Sequence, residues 1–178
     1  MTTLEESSVG GHLDERLSIG HTLFRENRGL WQLTPDGRAA HADELAADLD
    51  GLDIADAFAD AYDTFLSMNA EFKHLCGDWQ LKGGEPNDHS DPGYDGDVID
   101  RLSDLHERAH PIVDAFGSAV DRFGPYSGRL AAVLERVRAG ESNLFTGVMC
   151  GSYHDVWMEL HEDLILSQGI DRTAEGSF

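Results

Sequence analysis

The run FADAYDTFLSMNAEFKHLCGDW, residues 58–79, decides how the chain folds. Phe58, Tyr62, Phe65, Asn69, Phe72, Cys76 and Trp79 follow one another at spacings of 4, 3, 4, 3, 4 and 3 residues. An α-helix puts residues at that spacing on one face, and seven in a row predict a long amphipathic helix with a buried aromatic ridge. Leu66, Met68 and Leu75 widen the ridge.

A second stripe of the same period predicts a partner helix: Val98, Leu102, Leu105, Ala109, Ile112, Phe116, Ala119 and Phe123. Pro111 falls inside it. A proline removes one backbone donor and biases the residue before it away from helix, so a kink or break is expected near His110. Gly124-Pro125 ends the segment. Two further helices are expected over Tyr126 to Ala139 and Ser152 to Ser167, stopped by Gly140 and Gly169. Between the first two stripes, LKGGEPNDHSDPGYDG (81–96) reads as a polar loop, with Asp95 or Asp97 capping the helix that follows.

The N-terminal part reads differently. His12 to Ile19 has the length of one short helix. His21 to Arg25 and Leu30 to Thr34 are β-prone runs around Glu26-Asn27-Arg28-Gly29, which predicts a hairpin. Thr34-Pro35 then has the form of a helix cap and first turn, with the helix running to about Leu49.

Composition narrows the function classes. The chain has 178 residues, 40% of them apolar, and carries 34 acidic residues against 13 Lys and Arg, a formal charge of −21. Such a surface repels phosphate backbones. The densest basic group, Arg25, Arg28 and Arg38, is interrupted by Glu26 and Asp36. No run reaches the roughly 20 apolar residues of a membrane helix, and the first eleven residues lack an apolar signal segment. The expectation is a cytoplasmic protein with no membrane partner. Cys76 and Cys150 do not read as a disulfide framework.

Several polar residues interrupt the apolar faces. Asn69 sits mid-ridge between Phe65 and Phe72; a buried amide there either fixes register against a neighbouring helix or grips a ligand. His154 and His161, seven residues apart beside Trp157, share one face of the last helix. Asp88 and His89 lie in the 81–96 loop, which serves either as plain turn chemistry or as a cover over a pocket. A ligand site built from Asn69, Cys76, Trp79, Asp88, His89, His154, Trp157 and His161 is therefore the leading expectation. His106-Glu107-Arg108-Ala109-His110 matches HExxH, and with His154 and His161 it gives an alternative metal set, the expectation being otherwise that no metal is held. A zinc site from His74, Cys76, Cys150 and His154 is a weaker option. The sequence specifies no cofactor.

GLWQLTPDGRAAH (29–41) resembles the last wing strand and following helix of winged-helix regulators, where an LTPxGR run ends the wing. FLSMNAEFKHLCGDWQ (65–80), EPNDHSDPGYD (85–95) and SYHDVWMELHEDL (152–164) resemble the C-terminal helical region of actinobacterial MarR-like transcriptional regulators. The stripes and the N-terminal hairpin together predict a mainly α fold, a helical bundle with a small N-terminal β-hairpin, and the resemblance likens that hairpin to a wing. It divides the chain into a partial winged-helix-like hairpin and helix (1–50) and a helical ligand-binding domain (51–178). A full winged helix needs about three helices before the wing. Only some 20 residues precede it here, so a complete DNA-reading helix-turn-helix is not expected. The reading that follows is a small-molecule-sensing, regulator-like binding protein. The alternatives are a metal-dependent, hydrolytic enzyme using histidines and carboxylates, and a scaffold whose exposed stripes complete a homodimer or bind another protein.

Overall fold

The computed structural model describes residues 24–27, 30–52 and 54–170. The chain divides into two compact units, Met1–Leu52 and Asp53–Phe178. In the first, strands β1 (Phe24–Asn27) and β2 (Leu30–Leu33) pair antiparallel, Phe24 opposite Leu33 and Asn27 opposite Leu30. Helix α1 (Pro35–Asp48) follows, with the Thr34 hydroxyl accepting from the Gly37 N–H at 3.1 Å and Pro35 opening the first turn. The helix expected over His12 to Ile19 lies outside the described residues, as do positions 28 and 29 of the hairpin turn.

The second unit is a helical bundle. It consists of α2 (Ile54–Gln80), a miniature hairpin of β3 (Leu81–Lys82) and β4 (Glu85–Pro86), α3 (Pro92–Ala119), a 3-10 turn (Asp121–Phe123), α4 (Gly124–Arg138), the short α5 (Asn143–Thr146) and α6 (Tyr153–Gln168). The fold is thus mainly α with a small N-terminal hairpin, as expected; the second hairpin, within residues 81–86, was not expected. Among the described residues no helix is long and apolar enough to cross a membrane. The ridge of α2 is the spine of the core: Phe58, Phe65 and Phe72 are fully buried. Phe58 meets Phe116 of α3 edge-on at 5.0 Å and Phe123 at 5.4 Å. Such edge-to-face pairs add about 0.5–1.5 kcal/mol each beyond the area they bury.

The structure corrects four expectations. Of the kink or break expected at Pro111, the break does not occur: α3 runs continuously from Pro92 to Ala119. Pro111 is solvent-exposed, and Ala109, Val113 and Phe116 around it are buried, so packing of the apolar face outweighs one lost backbone bond. The second stripe also drifts. Val113 and Val120 are buried, whereas Ile112 is half-buried and Ala119 exposed, because a 3.6-residue turn falls behind a 3.5-residue repeat. Phe123 belongs to the core but not to α3, since the chain leaves the helix at Val120 (φ −141°, ψ 117°). Finally, the polar loop is shorter than 81–96. Gly83 and Gly84, at φ 62° and 89°, turn the small hairpin, and Asp91 rather than Asp95 or Asp97 caps α3, accepting from the N–H groups of Gly93 (3.1 Å) and Tyr94 (3.2 Å).

The corner between α3 and α4 is closed by two glycines. A Cβ on Gly117 would lie 2.9 Å from the Cα of Gly124. Gly117→Ala is expected to destabilise the protein by about 1–2 kcal/mol in denaturant unfolding, because backbone must shift to admit the methyl. Gly128→Ala, in α4 with nothing within 4 Å of the added carbon, is expected to stabilise it by about 0.5–1 kcal/mol through helix propensity.

Candidate functional site

Helices α2 and α6 run antiparallel along an aromatic seam. Phe65 stacks on Trp157 at 4.9 Å and meets His161 at 5.4 Å. Phe72 meets Trp157 at 5.0 Å, Tyr153 at 5.5 Å and His154 at 6.3 Å. Between them, the Trp157 indole donates Nε1–H to Oδ1 of Asn69 at 3.0 Å. Asn69 is 2% exposed and Trp157 0%. The mid-ridge amide therefore holds register, and it does so from inside the predicted ligand cluster.

The other imidazole of this region, His154, is half-buried. Its Nδ1 is buried and has no hydrogen-bond partner. A buried polar atom left in that condition costs about 1–3 kcal/mol, so it calls for an explanation. Cys76, one turn beyond Phe72 on α2, is half-buried, and burial pushes its thiol up to about 12. It is a neutral thiol at physiological pH and no nucleophile.

The remaining predicted residues form a second group. Trp79 lies ten residues beyond Asn69, about 15 Å along the helix. It packs between His89 (4.6 Å) and Phe145 of α5 (4.7 Å). His89 has a left-handed backbone, φ 56°, rare for a residue with a side chain. It is fixed by Asn87 and Asp95: its Nδ1 lies 3.0 Å from Asp95 Oδ2, and Asn87 Oδ1 accepts from its backbone N–H at 3.2 Å. Asn87 also donates to Asp95 Oδ1 (2.9 Å) and to the Trp79 carbonyl (3.1 Å). Asp88 is exposed and serves the turn, accepting from the Ser90 N–H at 3.0 Å. The eight predicted residues thus fall into a mid-bundle group (Asn69, His154, Trp157, His161) and an end group (Trp79, Asp88, His89), with Cys76 between them on α2.

The histidines of the HExxH run are engaged separately. His106 is buried, and its Nδ1 lies 3.2 Å from the Tyr153 hydroxyl. His110 pairs with Asp114 on the outer face at 3.0 Å. Among the described residues no three His, Cys, Asp or Glu form a group that could hold a metal ion. That covers both His106, His110, His154, His161 and the set of His74, Cys76, Cys150 and His154.

Three features escaped the sequence reading. Asp95 is the carboxylate partner of His89, not a helix cap. Tyr153 anchors His106. Asp155 accepts the backbone N–H groups of Met149 (3.2 Å), Cys150 (2.9 Å), Gly151 (2.9 Å) and Ser152 (3.3 Å). Burial alone would push its pKa up, but these four donors outweigh that and hold it below the ordinary carboxylate value. The Ser152-x-x-Asp155 spacing is the one legible signal for this arrangement, a reciprocal capping box.

Two measurements check the seam. Asn69→Leu strands the indole N–H and is expected to cost about 1–3 kcal/mol. In a double-mutant cycle with Trp157→Phe, the second change is expected to cost less in the Asn69→Leu background, with a coupling of about 1 kcal/mol. His106 is held below its ordinary value, first by burial and then by the charges of His110 and Arg138. The unfolded chain therefore takes up a proton that the folded chain refuses, and stability falls as pH drops below about 6.5. His106→Gln should flatten the fall in Tm between about pH 7 and pH 5 relative to the natural chain.

No protein-family model, no curated protein and no solved structure matches the chain.

Proposed function

We propose that the helical unit is a sensing module that binds a small, largely apolar molecule carrying one hydrogen-bond donor, at the rim of the α2–α6 seam. The observation that carries this reading is the buried, unpartnered Nδ1 of His154 beside Phe72 and the Asn69–Trp157 pair. Apolar walls with one or two convergent polar atoms are the usual make-up of a small-molecule site. An aromatic alcohol or an indole suits it: the ring joins the aromatic stack and the O–H or N–H meets His154.

The resemblance of the 29–41 run and of the three helical segments to MarR-like regulators supports a sensing role in transcription. DNA reading by this chain forms no part of the proposal. Of the described residues, those before the helical unit form only a hairpin and one helix, and each of the six arginines in the described part of the helical unit is in an ion pair.

The test uses 2-naphthol as the probe and naphthalene as its donor-free counterpart, read by tryptophan quenching. 2-Naphthol is expected to bind the natural chain more tightly than naphthalene does. His154→Leu is expected to weaken 2-naphthol by about tenfold, the worth of about 1.4 kcal/mol, and to leave naphthalene unchanged. Equal binding of 2-naphthol to the natural and His154→Leu proteins would sink the reading.

A further inference from the structure

One end of the helical bundle is held by a dense set of polar and aromatic contacts. Two loops meet there, the segment joining α2 to α3 (residues 81–91) and the segment from α4 to α6 (residues 139–152), because Trp79 is sandwiched between His89 of one and Phe145 of the other. Five large hydrophobic side chains are exposed among the described residues, and three of them are on these loops: Leu81 at 48%, Val148 at 76% and Met149 at 78%. Single exposed apolar residues are ordinary. Two adjacent ones at the tip of a rigid turn are not.

The rigidity of that turn is built from named bonds. The Asp155 carboxylate gathers four successive backbone N–H groups from Met149 to Ser152, and the Ser152 hydroxyl donates to the Gly147 carbonyl. Met149 is held at φ 58°, a left-handed conformation that a side chain disfavours. A flexible loop would fold Val148 and Met149 back against apolar surface. This one holds them out, so little conformational freedom is lost when they are covered.

The same end is acidic. Residues 81–97 and 135–155 contain eight carboxylates, Glu85, Asp88 and Asp97 among them, and three cations. Each cation is committed: Lys82 to Asp91, Arg136 to Glu141 and Arg138 to Glu135. A second copy of this chain would bring like charge against like charge, and nucleic acid would be repelled outright.

We propose that this end of the bundle docks a basic partner protein, whose apolar side chains cover Val148 and Met149 while its Lys and Arg face the surrounding carboxylates. The surface lies on the loops that precede α6, and the proposal does not depend on a ligand at His154.

The test uses the full chain and fluorescence anisotropy of a labelled helical peptide composed of leucine and lysine. Peptides with glutamate for lysine, or serine for leucine, are the counterparts. The Leu–Lys peptide is expected to bind at least about tenfold more tightly than either counterpart, and less tightly as salt rises. Val148→Ser with Met149→Ser is expected to weaken it by about tenfold or more, while Leu166→Ser, an apolar loss elsewhere on the surface (45% exposed), leaves it unchanged. Because all three side chains face water, the melting temperatures should stay alike. Binding that ignores the Val148/Met149 change, or falls equally with Leu166→Ser, overturns the proposal. So does a natural chain that sediments as a dimer and becomes a monomer on that change, since a second copy would then be the occupant.

Discussion

The hydrogen bond from the Trp157 indole to Asn69 fixes how the two chemistry-bearing helices face each other. Along the seam, Phe65 meets His161, Asn69 meets Trp157 and Phe72 meets His154. Each step forward on α2 is matched by an equal step back on α6. Aromatic faces alone tolerate sliding, because dispersion and area burial change little when one ring replaces another. A polar pair does not: one turn of slippage strands an amide and an indole N–H in an apolar interior at once. The bond therefore contributes specificity more than strength, and it places His154 and His161 beside the α2 ridge.

Charge is handled by a different logic on the outside. Arg108 reaches Glu71 across α2 and α3, Arg129 grips Glu159 across α4 and α6, and Arg122 joins Asp163 between the 3-10 turn and α6, in a group with Tyr126 and Ser167. The exposed pairs, Arg108–Glu71 and Arg129–Glu159, contribute little stability each. Their larger effect is on the surface field: arginines spent within the bundle leave the excess of acid uncompensated. That field disfavours nucleic acid and favours cationic partners.

The two groups of predicted site residues differ in what holds them. Those in mid-bundle are fixed by burial. At the end, Trp79 is likewise buried on α2, whereas Asp88 and His89 are fixed by a short polar loop; His89 there, and Met149 on the neighbouring loop, are in costly backbone conformations. Non-glycine residues in the left-handed region persist only where their surroundings over-determine them. At His89 the surroundings are Asn87, Asp95 and the face of Trp79; at Met149 they are the carboxylate of Asp155.

How much of this was legible in the amino-acid order follows from range. Helical spacing is local, so the ridge from Phe58 to Trp79, the stripe from Val98 to Phe116, the Thr34 cap, the helix start at Ser152 and the stop at Gly169 could all be read without a structure. The burial of Asn69 was legible for the same reason, but not the identity of its partner. Trp157 is 88 residues away, and no local rule chooses among the polar groups of four helices. Pro111 went the other way: the local rule was correct about the lost bond, and long-range packing overrode it. The division of the candidate residues into two groups, the union of His89 with Asp95, and the outward set of Val148 and Met149 were decided by tertiary structure. Each depends on which distant backbone and side-chain groups come within hydrogen-bonding distance, and that is a property of the packed bundle, not of any one segment.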